Sequence, residues 1–139
     1  MATTIENNKM IATFMGMVYR TENNYTGWYK STTTEKFAYR ICNDDGLIYH
    51  LSWNKLMKVI EKIEKIGISV EIKGYYNVFQ KAVYNQTTID YTIHKTVTKS
   101  CAYDDEVLFK YHSDSDIDKL KTTYQAVVKF IEWYNTQKV

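Results

Sequence analysis

Residues 52–66 read SWNKLMKVIEKIEKI and carry the clearest structural pattern in the chain. Its apolar side chains recur three and four residues apart, which is the period of a helix with one buried face. They are Leu56, Val59, Ile60, Ile63 and Ile66. Ser52 is a favourable N-cap and Gly67 a favourable C-terminal residue. We therefore predict an amphipathic helix that covers a core.

Two further helices are predicted at the ends of the chain. Residues 117–135 repeat the three- and four-residue spacing with Ile117, Leu120, Tyr124, Val127, Val128, Ile131 and Tyr134. Near the N-terminus, Thr3 and Glu6 have the spacing of a capping box, and Gly16 stands where a helix would end. We expect a short first helix and a long last one.

Between the helices the pattern changes to that of strands. Apolar and polar residues alternate at 68–73, 89–94 and 107–112, and shorter strand-like stretches occupy 17–20 and 28–31. Residues 37–42 and 47–50, separated by Asn-Asp-Asp-Gly, predict a hairpin. Because the strands are grouped between helices, we predict one α+β domain over residues 1–139. It would be a two-layer sandwich, with the two long helices on one face of a largely antiparallel sheet.

Composition excludes several classes of protein. With 139 residues the chain suits one core, and 18 basic against 16 acidic residues leave no long basic run. Nonspecific nucleic-acid binding is therefore not expected. Neither a signal sequence nor an apolar run long enough to cross a membrane is present, so we predict no membrane and a cytoplasmic location. Cys42 and Cys101 are too few for a disulfide framework or a zinc site.

No catalytic or metal motif stands out. Asp114, Asp116 and Asp118 resemble the start of a calcium loop, but Lys119 replaces its glycine and Gln125 its bidentate glutamate. These acids fit caps of the last helix better. We predict no metal, no cofactor and no catalytic residue.

The aromatic content gives candidate binding residues. Thirteen tyrosines and three tryptophans are too many for one core, although strand preference and nucleotide bias account for part of them. Rings in surface loops stack on bases or pack in interfaces. For a nucleotide-like ligand the candidates are Trp28, Tyr29, Tyr75 and Tyr76 for the bases and Arg40, Lys73, His94 and Lys95 for the phosphates.

Phe130 and Trp133 flank the apolar stripe of the last helix. They widen it beyond what one sheet face requires. Trp133 must either cover the margin of the sheet or meet another subunit, and we predict that Phe130 and Trp133 form the interface of a homo-oligomer.

Three segments resemble one group of proteins. They are YHxSWxxLMxVxEKIE at 49–64 with VEI at 70–72, NKMIAxFMG at 8–16, and YxAVVxFIEWYN at 124–135. They resemble small uncharacterised proteins of Bacteroidetes phages and prophages. Residues 17–48 and 74–112 depart from these proteins, and the resemblance implies a scaffold without catalytic residues.

Small phage proteins of this kind commonly act by binding. The resemblance thus implies a counter-defence protein in the host cytoplasm that sequesters a nucleotide-like immune signal. One alternative is an inhibitor that contacts a host enzyme directly. Another is a hydrolase of such signals with His94 as general acid or base. A deep pocket would favour the first function and a flat aromatic patch the second.

Overall fold

The computed structural model describes residues 2–22, 24–30, 42–97 and 102–137. The helices are α1 (Thr4–Phe14), α2 (Trp53–Lys65) and α3 (Lys119–Thr136). The strands are β1 (Met17–Glu22), β2 (Tyr25–Lys30), β3 (Ser69–Asn77), β4 (Ala82–Val97) and β5 (Ala102–His112). All strand pairs are antiparallel, so the predicted α+β class is confirmed.

The chain divides into two compact units, Met1–Val59 and Ile60–Val139, with the division inside α2. The described strands form two sheets, one in each unit: β1 pairs with β2, and β3, β4 and β5 follow one another in that order. The expected single domain over the whole chain stays a prediction.

The first unit is built on α1 and the β1–β2 hairpin. Thr3 and Glu6 form the predicted capping box, and Gly16 reverses the chain after α1 with a φ of 83°. A positive φ suits glycine, so the helix ends where the sequence predicts. Among the described residues of this unit, the buried apolar side chains are Ile11, Ala12, Phe14, Trp28, Tyr29, Leu47, Tyr49, Leu56 and Val59.

The predicted strand at residues 47–50 is wrong. A 3-10 turn at Asp44–Gly46 precedes these residues, which form no strand. Leu47 and Tyr49 are nevertheless buried and Ile48 is only partly so. The pattern at residues 47–50 therefore reflects burial of every second side chain in a segment without regular secondary structure. The other half of the predicted hairpin, residues 37–41, lies outside the described residues.

In the second unit, α3 packs on β4 and β5. Ile63 and Val127 are fully buried, as the helix periodicity predicts. β4 is longer than the alternating stretch at 89–94, because its first residues pair with β3. At the turn end of β4, Ala82 is partly exposed and Val83 is exposed. Because neither side chain is buried, this end of the strand does not need an apolar residue at every second position.

The acidic residues before α3 act as caps. The Asp118 carboxylate accepts hydrogen bonds from the backbone N–H groups of Leu120 and Lys121. Asp116 accepts one from the Asp118 N–H and pairs with Lys121 at 3.1 Å. These contacts hold the pKa of Asp116 below its ordinary value. Among the described residues, no cluster of three or more His, Cys, Asp or Glu side chains is placed to hold a metal ion. None of the described helices is long and apolar enough to cross a membrane.

Candidate functional site

Trp28 and Tyr29 are not surface rings, so their predicted exposure is wrong. Both lie in the core of the first unit, at 5% and 1% exposure. The Trp28 ring N–H donates to the Asp44 carboxylate at 2.9 Å, and the Tyr29 hydroxyl donates to the Tyr25 carbonyl at 2.6 Å. β2 pairs with β1 along one edge, and Trp28 forms a bridge with Cys42 along the other. Neither ring has a free face on which a base can stack.

The other predicted binding residues lie in the second unit or outside the described part of the chain. Tyr75 and Tyr76 are exposed on β3, and Lys73 is exposed beside Glu71 at 3.3 Å. His94 and Lys95 belong to β4, but their side chains are outside the description, as is all of Arg40. Their roles in binding stay predictions.

Phe130 is fully buried within its own unit, so it offers no surface to a second subunit. Its ring meets that of Phe109 edge-on at 5.6 Å. Trp133 is half-buried, and its ring lies 5.1 Å from Phe109 and 6.2 Å from Tyr91. The last turns of α3 therefore use their aromatic side chains to cover β4 and β5. The predicted interface is wrong for Phe130 and stays a prediction for Trp133.

The first unit contains a pocket of about 490 Å³. This volume lies within the range of small-molecule sites, which are concave and mostly apolar with a few polar groups. Its wall comes from the junction of α1 with β1 and from the irregular segment before α2. The lining residues are Met15, Gly16, Met17, Lys30, Cys42, Gly46, Leu47, Ile48, Tyr49, Lys55 and Lys58.

A hydrogen bond from α1 holds part of the apolar wall in place. The buried Asn8 amide donates to the Leu47 carbonyl at 2.7 Å and contacts His50 Nδ1 at 2.9 Å. Asn8 lies on the first helix, so it ties that helix to the segment that forms the pocket wall. At Gly46 a Cβ would overlap the Cβ of Cys42. The close approach of these two lining residues therefore requires glycine.

Tyr49 also lines the pocket, and its side chain is uncharged. Its hydroxyl donates to the sulfur of Met17 at 3.6 Å. Burial, followed by the nearby Cys42, raises the pKa of Tyr49 to about 12. The phenol therefore stays protonated at neutral pH and adds no negative charge to the pocket.

The rim carries positive charge. Lys30, Lys55 and Lys58 line the pocket, and all three are exposed. No salt bridge joins any of them to another described residue. Three like charges around one opening attract an anion, and the low-polarity wall strengthens that attraction.

The described lining of the pocket consists mainly of apolar side chains, lysines and the Cys42 thiol. The described side chains that line the pocket include no histidine and no carboxylate, which are the usual general acids and bases. An apolar wall beneath a cationic rim fits a small ligand with a flat or apolar body and an anionic group.

The sequence offered two weak indications of this pocket. Met15 and Met17 flank Gly16 at a predicted helix end, and Lys55 and Lys58 are three residues apart on the polar face of a predicted helix. Residues three apart on a helix are neighbours. Neither indication showed that the methionines and the lysines line the same pocket, because they come together only when the chain folds.

Comparison of the chain with protein-family models, with curated proteins and with solved structures gave no match. The resemblance to phage and prophage proteins therefore stays a prediction. What the pocket binds is inferred from the chemistry of its lining residues.

Proposed function

We propose that this chain is a non-enzymatic binding protein that holds a nucleotide-like anion in the pocket of its first unit. The observation that supports this proposal is the combination of a 490 Å³ apolar pocket with three lysines at its opening. The proposed ligand site is this pocket, which contains none of the aromatic and basic residues that were predicted from the sequence to bind the ligand.

The two parts of a nucleotide match the two parts of the pocket. Met15 and Met17 offer thioethers, and sulfur makes favourable contacts with aromatic rings. A base lies against them, with its ribose toward the opening. The phosphates then meet Lys30, Lys55 and Lys58. Lysine acts as a flexible point charge on phosphate, so the rim selects for anionic charge more than for one phosphate geometry.

The biological role we propose is sequestration, in which the protein binds a nucleotide signal and does not convert it. A phage protein that retains a nucleotide immune signal of its host lowers the free concentration of that signal, so the response fails. The lining residues provide strong binding groups but no histidine or carboxylate to activate water. The ligand should consequently leave the protein unchanged.

This function is tested by binding followed by recovery. The purified full chain is titrated calorimetrically with a panel of mononucleotides, cyclic nucleotides and short linear oligonucleotides. A bound compound is then released by denaturation and identified by chromatography and mass spectrometry. The proposal expects at least one compound to bind and to return intact. Conversion of the compound would show an enzyme, and absence of binding across the panel would contradict the proposal.

A further inference from the structure

The outer edge of β3 has no partner strand among the described residues of its own sheet. β3 is the first strand in the order β3-β4-β5, so only one of its edges is paired within the described sheet. Its pairing with β4 is regular from Ser69↔Asp90 to Asn77↔Ala82. Edge strands of monomeric proteins usually carry a bulge, a proline or inward-pointing charges that block further pairing. β3 has neither a bulge nor a proline.

The sequence of β3 is self-complementary about Ile72. Glu71 and Lys73 stand on either side of this residue and point to the same, exposed face of the sheet. If a second β3 runs antiparallel with Ile72 opposite Ile72, each Glu71 faces a Lys73 of the other strand. Opposite charges in directly opposed positions stabilise an antiparallel pair.

We propose that two copies of this chain associate through their β3 edges around a two-fold axis at Ile72. The two sheets of three strands then form one continuous sheet of six. A lysine on an edge strand opposes pairing with an unrelated strand. In this dimer each Lys73 instead lies opposite Glu71 of the other copy. The same patch is used by both copies, as a two-fold interface requires.

Neighbouring registers are disfavoured by charge. A shift that centres the pair on residue 73 sets Lys73 against Lys73, and a shift to residue 71 sets Glu71 against Glu71. Like charges that oppose each other directly are destabilising. The register centred on Ile72 is the one that gives two attractive pairs.

The same register covers apolar surface at both ends of the strand. Ile66, just before β3, is 39% exposed, and Val78 and Phe79, in the turn after it, are 72% and 97% exposed. Asn77 fixes that turn, because its side-chain oxygen accepts from the N–H groups of Phe79 and Gln80. In the antiparallel dimer, the turn of one copy that carries Val78 and Phe79 lies beside the end of the partner's β3 that is nearest Ile66. The dimer thus removes apolar side chains from water, which favours association.

Exchange of the two charges tests this interface. Sedimentation velocity and light scattering are measured on the full chain and on Glu71→Lys, Lys73→Glu and the double exchange. Both side chains are exposed, so circular dichroism should show all variants folded. Each single variant creates two like-charge pairs, and we expect it to weaken the dimer about tenfold or more. The double exchange restores both attractive pairs and should restore the dimer.

Each alternative result is decisive. A wild-type chain that remains monomeric at about 100 μM, a concentration that would detect even a weak dimer, overturns the proposal. A wild-type dimer that is unaffected by the single variants must use another surface, such as the one around Trp133. Single variants that weaken the dimer without rescue by the double exchange would refute the register. None of these results depends on the ligand pocket, which lies in the other unit.

Discussion

The side-chain amide of Asn8 donates to the main-chain carbonyl of Leu47 across 2.7 Å, and both residues are buried. They are 39 positions apart in the sequence. This bond connects the first helix to the wall of the pocket, so the shape of the pocket depends on a polar group inside the core.

Replacement of Asn8 by leucine should destabilise the protein. Leucine has a similar size but no donor, so the buried Leu47 carbonyl loses its partner, which costs about 1–3 kcal/mol. Urea unfolding of Asn8→Leu measures this loss of free energy. Asn7→Leu is the control on the same helix, since Asn7 is less buried. Equal stability of Asn8→Leu and wild type would show that the bond does not hold the wall.

Ser113 should matter more than its size suggests. Its hydroxyl oxygen accepts from the buried Thr87 N–H at 2.8 Å. Ser113→Ala leaves that N–H without an acceptor, and we expect a loss of about 1–3 kcal/mol in the free energy of unfolding. Ser115→Ala, at an exposed position nearby, should change stability by less than about 0.5 kcal/mol. Similar losses in the two variants would refute this assignment.

Thr87 provides a contrast to Ser113. Its hydroxyl lies 3.3 and 3.1 Å from those of Thr122 and Thr123. These two threonines also donate to the Lys119 carbonyl, so they keep a partner when the Thr87 hydroxyl is removed. Thr87→Val should therefore cost only about 1 kcal/mol, the usual net value of one hydrogen bond. The same unfolding experiment compares it with Ser113→Ala.

The free energy of unfolding at high pH should depend on the raised pKa of Tyr49. Its pKa is about 12 in the folded chain, whereas an unfolded tyrosine titrates near 10. The unfolded state therefore loses its proton first, and the stabilisation is complete below about pH 10 and disappears as the pH rises toward 12. Tyr49→Phe removes this contribution, so its free energy of unfolding should fall less over that interval.

Chemical unfolding from pH 9 to 11.5, a range set by the two pKa values, measures the difference. The exposed residue Tyr76 supplies the control Tyr76→Phe. A pH profile of Tyr49→Phe that parallels wild type would contradict the assigned burial effect. A matching change in the Tyr76→Phe profile would show a general effect of removing a tyrosine.

Local periodicity predicted α2 and α3 because the buried side chains of each recur along one face of the helix. Ile63 and Val127 could be placed inside from their spacing alone. The burial of Trp28 and Tyr29 could not be predicted in this way, since Trp28 bridges Cys42 and donates to Asp44, which are distant in the sequence. The pocket was equally beyond prediction, because Met17, Lys30 and Lys55 converge only after folding.

Reversal of charge at the lysine rim tests whether the pocket is an anion site. Calorimetric affinity for the nucleotide that binds wild type best is measured for the double variant Lys55→Glu/Lys58→Glu. Lys65→Glu, an exposed change on the same helix outside the pocket lining, is the control. We expect a loss of about tenfold or more in the double variant, about 1.4 kcal/mol per tenfold, and nearly unchanged affinity in the control. Equal affinity in the double variant and wild type would contradict the proposed anion site.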